Sequence, residues 1–186
     1  MAEYIAFLRA INVGGSSIVR MTDLCEAFVN AGCRNVRSYI ASGNILFESG
    51  VSNDVALARK IRRGIVDRVG MEPAIMLRTL KDLEALVARD PFRKLRQDRT
   101  AKFYVAFLEG TPSKSVKIPL THAKEGLDVI AVTGRDAFIV SRPKPNGFYG
   151  FPNNFLEQAL GAVGTTRNWS TVSKVVTFAH RVEKTR

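Results

Sequence analysis

Two lines of this sequence can be laid over one another: Tyr4-Ile5-Ala6-Phe7-Leu8 and Tyr104-Val105-Ala106-Phe107-Leu108 stand 100 residues apart. Both are short apolar runs rich in β-formers, the composition of a buried strand. An internal match at that distance in a chain of 186 residues constrains the fold to two similar halves, 1–93 and 94–186, either packed closely together or merged into one domain.

The rest of the first half supplies the other elements of a small α/β unit. Met21, Leu24, Cys25, Phe28 and Val29 recur at helical spacing, and Gly32 stands just beyond, where a left-handed cap ends a helix. Val36 to Phe47 reads as a hairpin around Ser42-Gly43-Asn44. From Asp54 to Val69, Leu57, Ala58, Ile61 and Ile65 mark one apolar face, with Arg59, Lys60, Arg62 and Arg63 on the rest. Pro73–Arg78 predicts a strand, and Thr79 with Asp82 predicts the capped start of a helix that ends before Asp90-Pro91.

In the second half, an irregular stretch with a short helix near Thr121–Glu125 precedes a hairpin of Leu127–Thr133 and Ala137–Ser141, turning at Gly134-Arg135. A helix from about Asn154 to Leu160 follows. Thr165-Thr166-Arg167-Asn168-Trp169 then leads into Val172, Val175, Val176 and Ala179, a C-terminal helix that a threonine or Asn168 caps, with Trp169 as its anchor. Pro91–Ala101 carries Arg93, Lys94, Arg96 and Arg99 among few apolar residues and reads as a linker. The expected class is α+β: duplicated ferredoxin-like (β-α-β-β-α-β) halves with mainly antiparallel sheets and a C-terminal helix.

Charge narrows the partners. The net charge is +11, and it is uneven: residues 1–93 hold 13 basic and 10 acidic side chains, residues 94–186 hold 15 and 7. Such an excess attracts polyanions, so nucleic acid, phosphorylated metabolites and acidic protein surfaces become the expected partner classes. The opening MAEYIAFLRA has neither a basic n-region nor a long apolar stretch, so no signal peptide, membrane span or membrane partner is expected, and the cytoplasm is the expected compartment. Cys25 and Cys33 have no partner motif and His122 and His180 are the only histidines, which leaves too few ligands for zinc and favours free thiols in a reducing compartment. No metal or cofactor is expected.

Three motifs invite a chemical reading. The loop Arg9-Ala10-Ile11-Asn12-Val13-Gly14-Gly15-Ser16-Ser17 joins a strand to a helix, where backbone N–H groups can cradle a phosphate, although G-G-S-S is neither G-x-x-x-x-G-K-[ST] nor G-x-G-x-x-G and a plain turn accounts for it as well. Ser42 and Asn44 flank a glycine turn. Arg167 and Asn168 could serve as ligand donors with Trp169 as a stacking surface, against the plainer roles of cap and core anchor. Arg9, Asn12, Gly14, Gly15, Ser42, Asn44, Arg167, Asn168 and Trp169 are therefore the candidate ligand-binding set, expected to approach one cleft.

Catalytic signals are sparse. Ser113-Lys114 is adjacent rather than S-x-x-K, and no His stands in a nucleophile motif. The strand Lys102–Phe107 is faintly similar to the aromatic strand of RNA-recognition motifs but lacks its glycine. The functional expectation is a binder of phosphate-bearing ligands or nucleic acid through a basic surface. The alternative is a small-molecule enzyme with an anionic substrate in a cleft formed by the Gly14-Gly15 loop and the Thr165–Trp169 segment, using Arg167, Asn12, Asn44 and Tyr149 to bind it.

Taken together, Tyr4 to Gly15, Ser42-Gly43-Asn44-Ile45 and Thr165 to Val172 resemble the bacterial family catalogued as domain of unknown function 1697, over nearly the whole chain. The resemblance implies a duplicated α/β fold and a stand-alone cytoplasmic protein, and it carries no established activity or catalytic residues. Two departures stand out against the family pattern. Ala10 replaces a glycine and Ser16, Ser17 and Ile18 replace basic residues; a Ser-Lys pair is missing from Asn146-Gly147-Phe148-Tyr149-Gly150-Phe151. If those lysines hold an anion in relatives, this chain holds it differently or not at all.

Overall fold

The structure is a computed structural model and describes residues 1–12 and 18–183. Its elements run β1 (Ala2–Leu8), α1 (Met21–Asn30), β2 (Arg34–Tyr39), β3 (Asn44–Ser49), α2 (Asp54–Val69), β4 (Ile75–Thr79), α3 (Leu80–Arg89), β5 (Lys102–Leu108), β6 (Leu120–His122), β7 (Leu127–Thr133), β8 (Asp136–Ser141), α4 (Pro152–Leu160), β9 (Gly164–Asn168) and α5 (Trp169–Glu183). This is a mixed α+β chain with two sheets, every named pairing antiparallel, and a C-terminal helix. It divides into two compact units, Met1–Ala85 with Val175–Arg186, and Leu86–Lys174.

In the first unit the strands lie in the order β2-β3-β1-β4. The central β1 presents Tyr4, Ala6 and Leu8 to a core completed by Ile45 and Phe47 of β3, Leu24 and Phe28 of α1, and Leu57, Ile61 and Ile65 of α2. Its other face carries Ile5 and Phe7, buried as well. A strand covered on both sides needs no polar alternation, which is why its sequence is one unbroken apolar run. Phe47 stacks on Tyr4 at 5.6 Å between ring centroids and meets Phe28 edge-on at 5.2 Å.

The helices of this unit begin and end as their sequences dictate. The Asn53 side chain accepts a hydrogen bond from Ala56 N at 2.9 Å to cap α2, and Gly70 ends it at φ 72°. Asp82 N donates to Thr79 Oγ1 at 3.1 Å at the start of α3. Along α5, Arg37 Nη2 donates to the Ala179 carbonyl, Phe178 packs on Tyr39 at 5.2 Å, and His180 Nε2 lies 2.8 Å from Glu84 Oε1 of α3.

In the second unit the order is β6-β7-β8-β5-β9. Here β5 lies between β8 and β9, with Ala106 and Leu108 in a core shared with Leu127, Val129, Ala137, Ile139, Leu156 and Leu160. The registers of the two sheets run alike. Tyr4 lies opposite Phe47 and Thr79, Tyr104 opposite Ile139 and Asn168; Leu8 N donates to Gly43 O and Leu108 N to Arg135 O, both at 2.8 Å.

Three expectations need correction. Thr165 and Thr166 are not helix caps: they belong to β9, whose Gly164–Asn168 ladder on β5 is the ninth strand. Their polar, β-branched sequence suits an edge strand, and the helix begins only at Trp169. The short helix near Thr121–Glu125 is a strand, β6, followed by one 3₁₀ turn at Ala123–Glu125. The stretch Pro91–Ala101 is no loose linker, because Phe92 within it is fully buried.

Helix α2 packs closely on α1 at Gly64. A Cβ there would stand 2.7 Å from the Ala27 carbonyl oxygen of α1, which is backbone and cannot step aside. Alanine would add helix propensity of about 1 kcal/mol, but overpacking costs roughly 1–3 kcal/mol, so the clash prevails. Gly64→Ala should therefore lower the urea midpoint at an unchanged m-value, and a rise in stability would show that the two helices are free to separate.

Candidate functional site

The second unit contains a groove of about 580 Å³ lined by Arg96, Asp98, Arg99, Lys102, Phe103, Asn168, Trp169 and Ser170, with Ala101 and Ser173. It is built around Phe92. That ring sits 5.1 Å from Phe103, 5.4 Å from Trp169 and 6.0 Å from Phe138, so it pins the 91–101 segment beside the start of β5 and the end of β9. Successive turns then carry the chain outward: Leu95 N donates to Phe92 O at 2.9 Å, Asp98 N to Leu95 O and Ala101 N to Asp98 O, each at 3.2 Å. The buried aromatic fixes the segment, and its arginines are left at the surface.

Charge in the groove follows from who is already paired. Asp98 accepts from Thr100 Oγ1 at 2.7 Å, from Thr100 N at 3.1 Å and from Arg142 Nε at 2.9 Å. The Thr100 hydroxyl and the Arg142 guanidinium hold its carboxyl below the usual range. Arg142 also reaches Asp128 at 2.6 Å. Arg96 pairs with Asp90 at 2.7 Å, and the Lys102 ammonium lies 3.7 Å from the centroid of the Tyr149 ring. Arg99 is exposed, and among the described residues it faces no carboxylate within ion-pair distance. The one acidic lining residue is thus committed elsewhere, and the groove stays cationic.

The other basic region is balanced. A depression of about 400 Å³ between α1 and α2 is lined by Lys60, Arg63 and Arg68, but Asp67 lines it too, and Arg68 is bound to Asp23 at 3.1 Å and to Glu26. Arg59, Lys60 and Arg63 are exposed, whereas Arg62 is half-buried and Nε donates to Pro73 O at 3.4 Å.

The residues expected to bind ligand fall into two groups. Arg9, Asn12, Ser42 and Asn44 adjoin one another in the first unit. Asn12 Nδ2 donates to Val19 O at 3.0 Å and Ala41 O at 3.1 Å while its Oδ1 accepts from Val19 N at 2.7 Å, so this amide ties Asn12 to Val19 and to Ala41. Asn44 is fully buried, and its Nδ2 donates to Tyr39 O and Ser42 Oγ. Gly14 and Gly15 lie outside the described residues.

Arg167, Asn168 and Trp169 lie in the second unit. Arg167 Nη1 donates to Thr165 Oγ1 at 2.8 Å and Thr166 O at 3.0 Å, and burial brings its guanidinium down to about 10. Trp169 is 8% exposed and Asn168 is exposed at the groove rim. Arg96, Arg99 and Lys102 lie outside the expected set; the arginines form a basic cluster in the sequence, but one whose composition reads as a linker.

Other candidates have structural occupations. Ser113 and Lys114 close the end of α4: Ser113 Oγ donates to Gly161 O at 2.9 Å and Lys114 Nζ to Gln158 O at 3.0 Å. His122 packs edge-on to Phe155 at 4.9 Å, and Tyr149 OH donates to Thr100 O at 2.7 Å. Both cysteines are free, and burial pushes the Cys33 thiol up to about 11. Among the described residues no helix is long and apolar enough to cross a membrane.

Fold and site together define an antiparallel α+β protein with a cationic groove. The chain belongs to the family described as protein of unknown function (DUF1697), whose model matches residues 1–138. It is similar in fold to the conserved bacterial protein SP0830 from Streptococcus pneumoniae, at 21% identity and a TM-score of 0.67, covering 96% of this chain and 98% of that one. No curated protein matches the sequence.

Two outcomes follow from this geometry. Phe92→Ala should cost about 3–5 kcal/mol in denaturant unfolding, against less than about 0.5 kcal/mol for the exposed Arg99→Ala. Iodoacetamide at pH 8 should leave Cys33 unmodified until denaturant is added, because both burial and the raised pKa withhold the thiolate; rapid labelling of the native chain would refute this.

Proposed function

We propose that this protein binds phosphate-bearing ligands, nucleic acid foremost, through the groove of the second unit. The observation that carries the reading is Arg99: an exposed guanidinium between Arg96 and Lys102, at a rim with Asn168 and Ser170, where the only lining carboxylate is already held by Arg142. Guanidinium suits phosphate because its fork of donors matches two oxygens at once. The excess charge of residues 94–186 supports the same reading, since a field of one sign speeds encounter with a polyanion.

The reading includes an origin for the framework. We infer that the two sheets descend from one ferredoxin-like β-α-β-β-α-β unit repeated at 1–93 and 94–186. What supports this is the shared order, β2-β3-β1-β4 against β7-β8-β5-β9, with Arg78 and Arg167 at matching places. Arg78 pairs across from Ile5 and Arg167 from Val105, and each Nη1 donates to the preceding carbonyl, Leu77 O at 2.7 Å and Thr166 O at 3.0 Å. The segment between β5 and β7 departs from the pattern, with β6 and a 3₁₀ turn where the first unit has α1. A protein of this kind would work in the cytoplasm.

Anisotropy of a labelled 20-base-pair DNA across roughly 50–200 mM salt tests the function. Neutralising Z phosphates gives a log–log slope near −0.9Z on duplex, so affinity should fall steeply with salt, and Arg99→Ala should flatten the slope by about one. Absence of binding to this duplex and to a single strand alike, even at about 20 mM salt, would remove the nucleic-acid reading. A melting-temperature rise with a phosphorylated metabolite in its place would point to a small anionic substrate.

A further inference from the structure

Among the described residues, every Phe, Tyr and Trp side chain except two is buried or half-buried. The exceptions are Phe148 at 71% and Phe151 at 73% exposure, three residues apart in the segment between β8 and α4. Large apolar rings in water are unfavourable in proportion to their accessible surface, and neither ring fills a core.

The backbone that displays them is tightly built. Pro143 bridges Tyr149, Lys144 N donates to Phe148 O at 2.9 Å and Gly147 N to Lys144 O at 2.8 Å. The Asn146 side chain accepts from Phe148 N at 3.1 Å, and Lys144 pairs with Glu125 at 3.2 Å. Gly150 is pressed on Glu125 so closely that a Cβ would lie 2.3 Å from its carbonyl oxygen. Phe148 is therefore presented on a preformed turn, which lowers the ordering cost of any contact it makes, and Phe151 stands just beyond it at the start of α4.

That turn is joined to the cationic groove. Tyr149, next in sequence to Phe148, donates to the carbonyl of Thr100, the residue between the groove's Arg99 and Ala101, and its ring receives the ammonium of Lys102. Exposed rings beside a concave row of cations are the two parts of a single-strand binding surface: cations follow the phosphates, and flat apolar rings take unpaired bases of any sequence. A duplex offers no base faces to such rings.

We propose that the groove takes single-stranded nucleic acid, with Phe148 and Phe151 as the surfaces on which its bases stack. This rests on the nucleic-acid reading above and specifies the form of the strand. The groove favours a strand over a lipid surface, because the cations Arg96, Arg99 and Lys102 line a depression, whereas a bilayer would need them ringing a protruding apolar tip.

Labelled dT15 and a 15-base-pair duplex titrated at equal salt decide the matter. The expected result is tighter binding of dT15, about tenfold weakening by Phe148→Ala or Phe151→Ala, and recovery in Phe148→Trp. The salt slope should stay unchanged in the alanine variants, since no phosphate contact is lost, and their melting temperatures should match the parent because both rings are exposed. Equal affinity for duplex and dT15 with inert alanine variants would overturn the stacking proposal and leave the groove reading standing. Binding of neither would overturn both. Loss of binding to phosphatidylserine vesicles in the alanine variants, with dT15 affinity untouched, would overturn it in favour of a membrane contact.

Discussion

Both units are organised by an interior strand whose apolar run has no solvent face. Tyr4, Ala6 and Leu8 are buried toward the helices of the first unit while Ile5 and Phe7 are buried on the reverse, and Val105, Ala106, Phe107 and Leu108 are equally enclosed in the second. A strand of this kind obtains little register information from hydrophobic alternation, because a slip by one residue would still bury apolar side chains. The turns supply what the pattern lacks. Gly43 at φ 73° holds the end of the β2–β3 hairpin so close to β1 that a Cβ would come within 3.0 Å of Leu8 and Ile11, and Gly134 at φ 58° turns β7 into β8. Leu8 and Leu108 then donate to the carbonyls at those turns, which locks the pairing at one end.

The groove is a product of the same economy of buried surface. Phe92 enters an aromatic cluster with Phe103, Phe138 and Trp169, and everything from Arg93 to Thr100 is carried outward by overlapping turns. Its electrostatic character depends on Arg142, which engages both Asp98 and Asp128. One cation outside the groove thereby occupies the carboxylate within it, and Arg99 and Lys102 are left without one. In the α1–α2 depression the opposite arrangement holds, with Asp23 and Glu26 engaging Arg68.

Much of this was legible in the residues. The matched runs at Tyr4 and Tyr104, the amphipathic stripe from Asp54 to Val69 and the glycine turns at Gly43 and Gly134 each located an element correctly, because local periodicity and local backbone freedom decide them. What escaped was decided by distant partners. Thr165-Thr166-Arg167 reads as the polar approach to a helix until β5 is seen to offer it a ladder, and Pro91–Ala101 reads as a linker because a single phenylalanine among arginines gives no periodic signal. Asn12 and Asn44 stood out as unusual polar residues beside glycines. Their amides hold Val19, Ala41, Tyr39 and Ser42, an occupation visible only in three dimensions.

The turn from Pro143 to Tyr149 is shaped almost wholly by its main chain, by the Asn146 side chain and by contact with Glu125. Phe148 contributes nothing to that shape beyond backbone groups that any residue except proline would supply, and Phe151 follows the turn directly ahead of α4. The framework and its display are consequently separable: side chains at the two tips can be exchanged over evolutionary or laboratory time with little penalty to folding. Such a turn is a place where recognition can drift while the architecture stays fixed.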